Sequence, residues 1–348
     1  MLKYFNDNSL SLNFPKSSYL IINGKDDDTK CDLELDFGML EYKSVYEYLG
    51  AIISDTGCIS KDIEQYVNGK RANVTIKYNN FLRKNFLAPL AIKLKVLDVC
   101  VSSSLTYSCE AWGTASINSV EIIYRQGLKR ALSVRQTTNT KIVYTEADRL
   151  PLSIRISKQQ LKFWMYIQSY MEDHPNHPLA NLIEHGQRIN LQYLNYYEKL
   201  EADFNNPGAC QKTLTQTARH AIMTKIRTKS SNDNDSRLGV YLQVNTQLTP
   251  PKQHSNILEF ERVIISRYRS GSHNLKIETG RLCNPSIPRE ERLCICNTGV
   301  QSLRHCLFEC PLLVELYGRY AYTSIEEAFN SPDIGKLLME VEKCLNIS

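Results

Sequence analysis

Residues 60–84 read SKDIEQYVNGKRANVTIKYNNFLRK, and the period of their apolar positions decides the fold class. Ile63, Val67, Val74, Tyr78 and Phe81 recur at helical spacing, so one face of this stretch is expected to be buried. Ser60 is expected to cap the helix, with Asp62 and Glu64 placed favourably in its first turn. Lys70, Lys77 and Lys84 repeat every seven residues beside the row Val67, Val74, Phe81, with Arg71 and Arg83 nearby. They flank the buried seam as a basic stripe. Such a stripe attracts phosphates, although lysines on a solvated helix face are also commonplace.

Outward from that helix the pattern stays helical on its C-terminal side. A second helix is predicted from near Pro89 through Leu94, Leu97, Val101 and Leu105 towards Tyr107. A third opens near Ser119 and interleaves Ile123, Leu128 and Leu132 with Arg125, Lys129, Arg130 and Arg135, a dense positive cluster. A fourth covers about residues 154–171. Residues 172–226 keep a helical pattern, broken at Asn206-Pro207-Gly208, and the polar run between Thr228 and Ser255 predicts a linker or long loop. On the N-terminal side, short β-branched and aromatic runs at Tyr19–Ile22, Cys31–Phe37 and Val45–Ile53 predict a small antiparallel β meander. The expected fold is α+β and mostly α, in four parts: 1–57, 58–171, 172–256 and 257–348.

At 348 residues and 42% hydrophobic content the chain has ample material for a core. No run of eighteen apolar residues and no signal-peptide pattern occurs, so a soluble intracellular protein with no membrane partner is expected. The net charge of +5 is too small to identify a polyanion partner by itself, so the placement of the cations must decide. Of eleven cysteines, five lie from Cys283 to Cys310 apart from the scattered remainder, which argues for reduced metal chemistry. Cys294 and Cys296, then His305 and Cys310, offer four soft or borderline ligands within seventeen positions. Zinc takes four such ligands in a closed tetrahedron, which leaves no site for water, so a structural Zn2+ is expected. Cys283 and Cys306 are alternative ligands, and reduced cysteines in a small core are the plainer explanation.

Several blocks, in order, resemble non-LTR (LINE-type) retrotransposon reverse transcriptases. Leu10–Gly24, LSLNFPKSSYLIING, is similar to a palm segment, and Tyr46–Ile53, YEYLGAII, resembles the primer-grip hairpin. Leu105–Trp112, LTYSCEAW, resembles the family's L-x-Y-G-x-E-x-W signature with Ser108 in place of glycine. Tyr144–Leu152, YTEADRLPL, and Leu161–Trp164 match the family pattern C-terminal to that signature, and Arg289–Leu312, REERLCICNTGVQSLRHCLFECPL, is similar to the family's closing cysteine and histidine module. The resemblance implies a palm edge, a helical thumb, a connector and a zinc-binding tail. It places Lys16 near the phosphates of an incoming nucleotide and Tyr48, Leu49 and Gly50 on the primer grip. The chain contains no Tyr-x-Asp-Asp, and its first residues correspond to a point after that motif. Two-metal polymerase chemistry needs those carboxylates. The expectation is therefore an RNA-binding or DNA-duplex-binding fragment, with Lys70, Lys77, Lys84, Arg125, Lys129 and Arg130 as phosphate contacts. Two rivals are an incomplete gene model of an active RNA-directed DNA polymerase whose catalytic domains lie upstream, and a non-catalytic helical protein-interaction module.

Overall fold

The computed structural model describes residues 7–9, 13–24, 30–35, 38–48, 51–112, 117–177, 207–230, 236–250 and 257–347. Its N-terminal part is built from short strands, β1 (Ser18–Tyr19), β2 (Leu33–Leu35), β3 (Gly38–Tyr42), β4 (Val45–Tyr48) and β5 (Ala51–Ser54). They form two small sheets rather than one meander. β3 lies between β1 and β2, parallel to β1 and antiparallel to β2, while β4 and β5 form a separate hairpin. The parallel pair arises because β2 runs against β1, so that β3, doubling back along β2, takes the direction of β1. Tyr19 and Tyr42, adjacent in that parallel register, meet edge to face at 5.5 Å.

Helix α1 spans Ile59–Lys84. Ser60 does not cap it: the N-cap is Cys58, which contributes no side-chain bond, and Ser60 lies inside the first turn. Asp62 is turned back instead, its buried Oδ2 accepting from the Ser54 amide at 3.1 Å and pinning the helix to β5. Val67 and Tyr78 face inward, as their spacing requires. They pack on α2 (Leu90–Val96), which passes through a π turn at Leu97–Ser102 into the short α3 (Ser103–Leu105), and on α5 (Ile117–Leu132), which comes after α4 (Cys109–Trp112). Gly127 permits a close crossing there: a Cβ added to it would stand 2.4 Å from Leu97 Cδ1. Helices α6 (Thr140–Ala147) and α7 (Leu152–Asp173) complete this helical body.

The stretch expected to be a linker carries structure. Pro207 opens α8 (Pro207–Ser230) instead of only breaking a pattern, and α9 (Arg237–Val244) lies inside the polar run. Ser236 caps α9 by accepting from Gly239 N at 3.1 Å, and Leu238, Tyr241, Val244 and Leu248 are buried. Eight residues give too few turns for periodicity to stand out, but enough to pack Leu238 and Tyr241 into a cluster with Ile142 and Ile226. Then come α10 (Glu259–Arg269), α11 (Lys276–Leu282), α12 (Val314–Tyr320), α13 (Ile325–Asn330) and α14 (Ile334–Cys344), enclosing a core that includes Tyr268, Leu303, Phe329 and Leu338.

The seam between this C-terminal core and the helical body is charged and almost dry. Glu259 on α10 is paired with Lys93 on α2 and with Arg262, whose Nη2 lies 2.6 Å from Oε1. Glu146 on α6 receives Arg269 Nε at 3.0 Å and the Tyr241 hydroxyl at 2.8 Å. Lys93, Glu259, Arg262, Glu146 and Arg269 are each at most 5% exposed. Each buried charge therefore has a partner, which is the condition for tolerating it. No helix among the described residues is long and apolar enough to cross a membrane.

Candidate metal centre and basic surfaces

Between α11 and α12 the chain builds a compact site from local turns. Leu293 and Val300 form an antiparallel bridge, Cys294 N donates to Gly299 O at 2.8 Å, and Asn297 turns the chain in the left-handed region at φ 59°. This knuckle presents Cys294 and Cys296. The second pair comes from a π turn at His305–Glu309, where Cys310 N donates to His305 O at 2.9 Å. The five-residue reach of a π turn suits this pair, since His305 and Cys310 are five positions apart. Tyr317 of α12 locks the turn, its hydroxyl donating to His305 O at 3.2 Å and accepting from Cys310 N at 2.7 Å.

The ligand atoms of Cys294, Cys296, His305 and Cys310 all lie within 4.8 Å of one another, so the group can hold a metal ion. Cys294 Sγ stands 3.8 Å from Cys310 Sγ, and Cys296 Sγ 3.2 Å from His305 Nε2. The other imidazole nitrogen, Nδ1, lies 3.8 Å from Glu309 Oε2. Gly299 makes room for the ring, since a Cβ there would approach Nδ1 to 3.0 Å. Burial works to raise the Cys296 thiol, but hydrogen bonds from Thr298, His305 and Cys294 carry it down to about 6. Burial, together with the neighbouring sulfurs, pushes Cys310 up to about 12. Neither alternative ligand joins the group. Cys283 is exposed with its thiol 3.6 Å from Thr279 O, and Cys306 is buried in the core, where burial pushes its thiol far up.

The expected phosphate contacts fall into three sets. Lys70, Lys77 and Lys84 are exposed along α1, with Lys70 5.5 Å above the Tyr66 ring. Among the described residues none of the three has a carboxylate within ion-pair distance. Arg125 and Arg130 are half-buried on α5, Arg125 Nε donating to Glu121 O at 3.3 Å. Lys129 must be struck from the contacts: it is 9% exposed and its ammonium donates to Gln136 O at 2.6 Å. Burial also pulls that ammonium below its ordinary value. Lys16 is exposed in a 3-10 turn at Phe14–Lys16, and its carbonyl accepts from Tyr46 OH on β4 at 3.4 Å. Tyr48 ends β4, while Leu49 and Gly50 lie outside the described residues. Sequence reasoning missed Tyr317 and Glu309 around the metal group, because their roles depend on turns that no spacing rule announces.

Compared with known proteins, the chain matches no family model, no curated protein and no solved structure.

Proposed function

We propose that this chain is a nucleic-acid-binding protein, the C-terminal part of a LINE-type reverse transcriptase, which grips an RNA or DNA duplex without performing polymerase or nuclease chemistry. One observation carries the binding function: Lys70, Lys77 and Lys84 stand exposed in a row on a single 26-residue helix, unpaired with any carboxylate among the described residues. The adjoining face of α1 is fixed by Val67 and Tyr78 in the core, so the row is held by a rigid element. Ser108 adds support to the family assignment. It sits at φ 58°, a left-handed conformation that glycine, the residue of the resembled signature at this place, adopts without strain.

The metal we assign is zinc in a structural role. Tetrahedral zinc with sulfur bonds of about 2.3 Å has sulfur–sulfur edges of about 3.8 Å. The Cys294 to Cys310 separation equals that edge. Three thiols and one imidazole form a closed donor set, and Glu309 beside Nδ1 is placed to orient the ring. Bound zinc would fasten the knuckle to the π turn.

The test is fluorescence anisotropy of a short labelled RNA–DNA duplex against zinc-loaded protein across a salt series. Log affinity is expected to fall linearly with log salt, and the triple variant K70Q/K77Q/K84Q to reduce the slope by about 2 to 3, roughly 0.7 to 0.9 per phosphate lost. Salt-independent affinity, or no binding at low salt, overturns the assignment.

A further inference from the structure

A second concentration of positive charge lies at the seam, apart from α1 and from the metal group. Buried Glu278 on α11 accepts from Arg237 Nε of α9 at 2.6 Å and from Arg281 Nη1 at 2.7 Å. Arg135 arrives from the loop after α5, its amide donating to Ser272 Oγ and its Nη2 to Asn274 Oδ1, each at 2.6 Å. The charges of all three guanidiniums act on His273, which is buried and stacked on Tyr268 at 4.7 Å between ring centres. Arg292 is buried beside them, with its donors spent on the Ile277 and Ile287 carbonyls rather than on an acid. Arg267 borders the group, its Nε 3.2 Å from Ser133 O and its charge facing Glu342.

Arg237 and Arg281 thus share one carboxylate, Glu278, while Arg135 and Arg292 are bonded to polar or backbone groups and not to an acid among the described residues. Like charges gathered in a half-buried place repel strongly because solvent screens them poorly. An anion would relieve that repulsion. Two further observations point the same way. Arg135 Nη1 is shut from solvent with no acceptor among the described residues, an orphaned donor of the kind folded proteins rarely tolerate. Arg237 and Arg281 keep 22% and 29% of their side chains exposed, so a ligand can reach them from outside. Each commits a single donor to Glu278, leaving the rest of a planar fork whose geometry matches phosphate oxygens.

We propose that Arg135, Arg237 and Arg281 form a phosphate-binding site at this seam, which takes a backbone phosphodiester of the bound nucleic acid. Glu278 acts as the positioning residue that holds two of the forks together. This site rests on the nucleic-acid-binding function above, and adds a second anchor formed jointly by the helical body, α9 and α11.

The experiment uses the full chain with zinc and the same labelled RNA–DNA duplex. R135Q and R281Q are each expected to weaken binding about tenfold and to lower the salt slope by about 0.7 to 0.9, as for one phosphate contact. In parallel, arginine modification of the wild-type protein with phenylglyoxal, mapped by mass spectrometry, is expected to show Arg237 and Arg281 protected by duplex. This second measurement decides the matter if a variant does not fold. Should the wild type bind duplex through the α1 lysines while R135Q and R281Q bind equally well, or Arg237 and Arg281 stay equally reactive, the seam site is overturned alone. If the wild type binds no duplex, the parent function falls and the seam site with it.

Discussion

Ser108 occupies a left-handed backbone position that costs a residue with a Cβ roughly 1–2 kcal/mol. Replacing it with glycine removes that strain, offset in part by the greater freedom of glycine in the unfolded chain. S108G is therefore expected to stabilise the protein by up to about 1 kcal/mol, measured as a higher midpoint of urea unfolding. An unchanged or lower midpoint would show that the strain is relieved elsewhere. Single residues were readable from the sequence to the extent that residue type and spacing announce a shared role. Cys294, Cys296, His305 and Cys310 qualify, since seventeen positions hold all four and only turn geometry is needed to gather them. Lys129 does not. Its place beside Leu128 and Leu132 is visible, but the fold-back of the chain that offers it the Gln136 carbonyl is not.

Among the elements, the long amphipathic helices obey their sequence period, whereas short or irregular ones do not. α1 and α7 run for 26 and 22 residues, long enough for apolar spacing to mark a face. α9 has only eight residues and leaves no clear periodic trace, while the helix expected from near Pro89 forms but widens at Leu97–Ser102 into a π turn that its spacing does not mark. The π turn at His305–Glu309 is the element on which the metal group depends, and Tyr317 is the group that braces it. Tyr317→Phe removes both hydroxyl bonds while keeping the ring. It is expected to weaken zinc retention by about tenfold, the lower end of the loss caused by removing a group that orients ligands, in competition with a chromophoric chelator. Retention equal to the wild type would mean that the turn holds its shape without the hydroxyl.

For the molecule as a whole, acid should act through the seam. Burial, reinforced by Arg135, Arg237 and Arg281, pushes His273 down to about 3. The unfolded chain takes up a proton at His273 near pH 6.5, while the folded one refuses it until near pH 3. Stability from this group is thus complete above pH 6.5 and declines as pH falls through that window, by at most about 1.4 kcal/mol per unit. Unfolding midpoints measured between pH 7 and pH 4 should fall less steeply for His273→Gln than for the wild type, and parallel curves would refute the assignment. None of this was legible in the sequence, because Glu146 and Arg269 pair across 123 positions and Lys93 and Glu259 across 166. The same pairs limit how the gene can be shortened. A polypeptide ending before residue 259 would keep the ammonium of Lys93 and the carboxylate of Glu146, yet lose the counter-ions that neutralise them against walls of leucine and tyrosine. The first 258 residues are no freestanding building block, and an amputation that spares solubility has to fall elsewhere than at this joint.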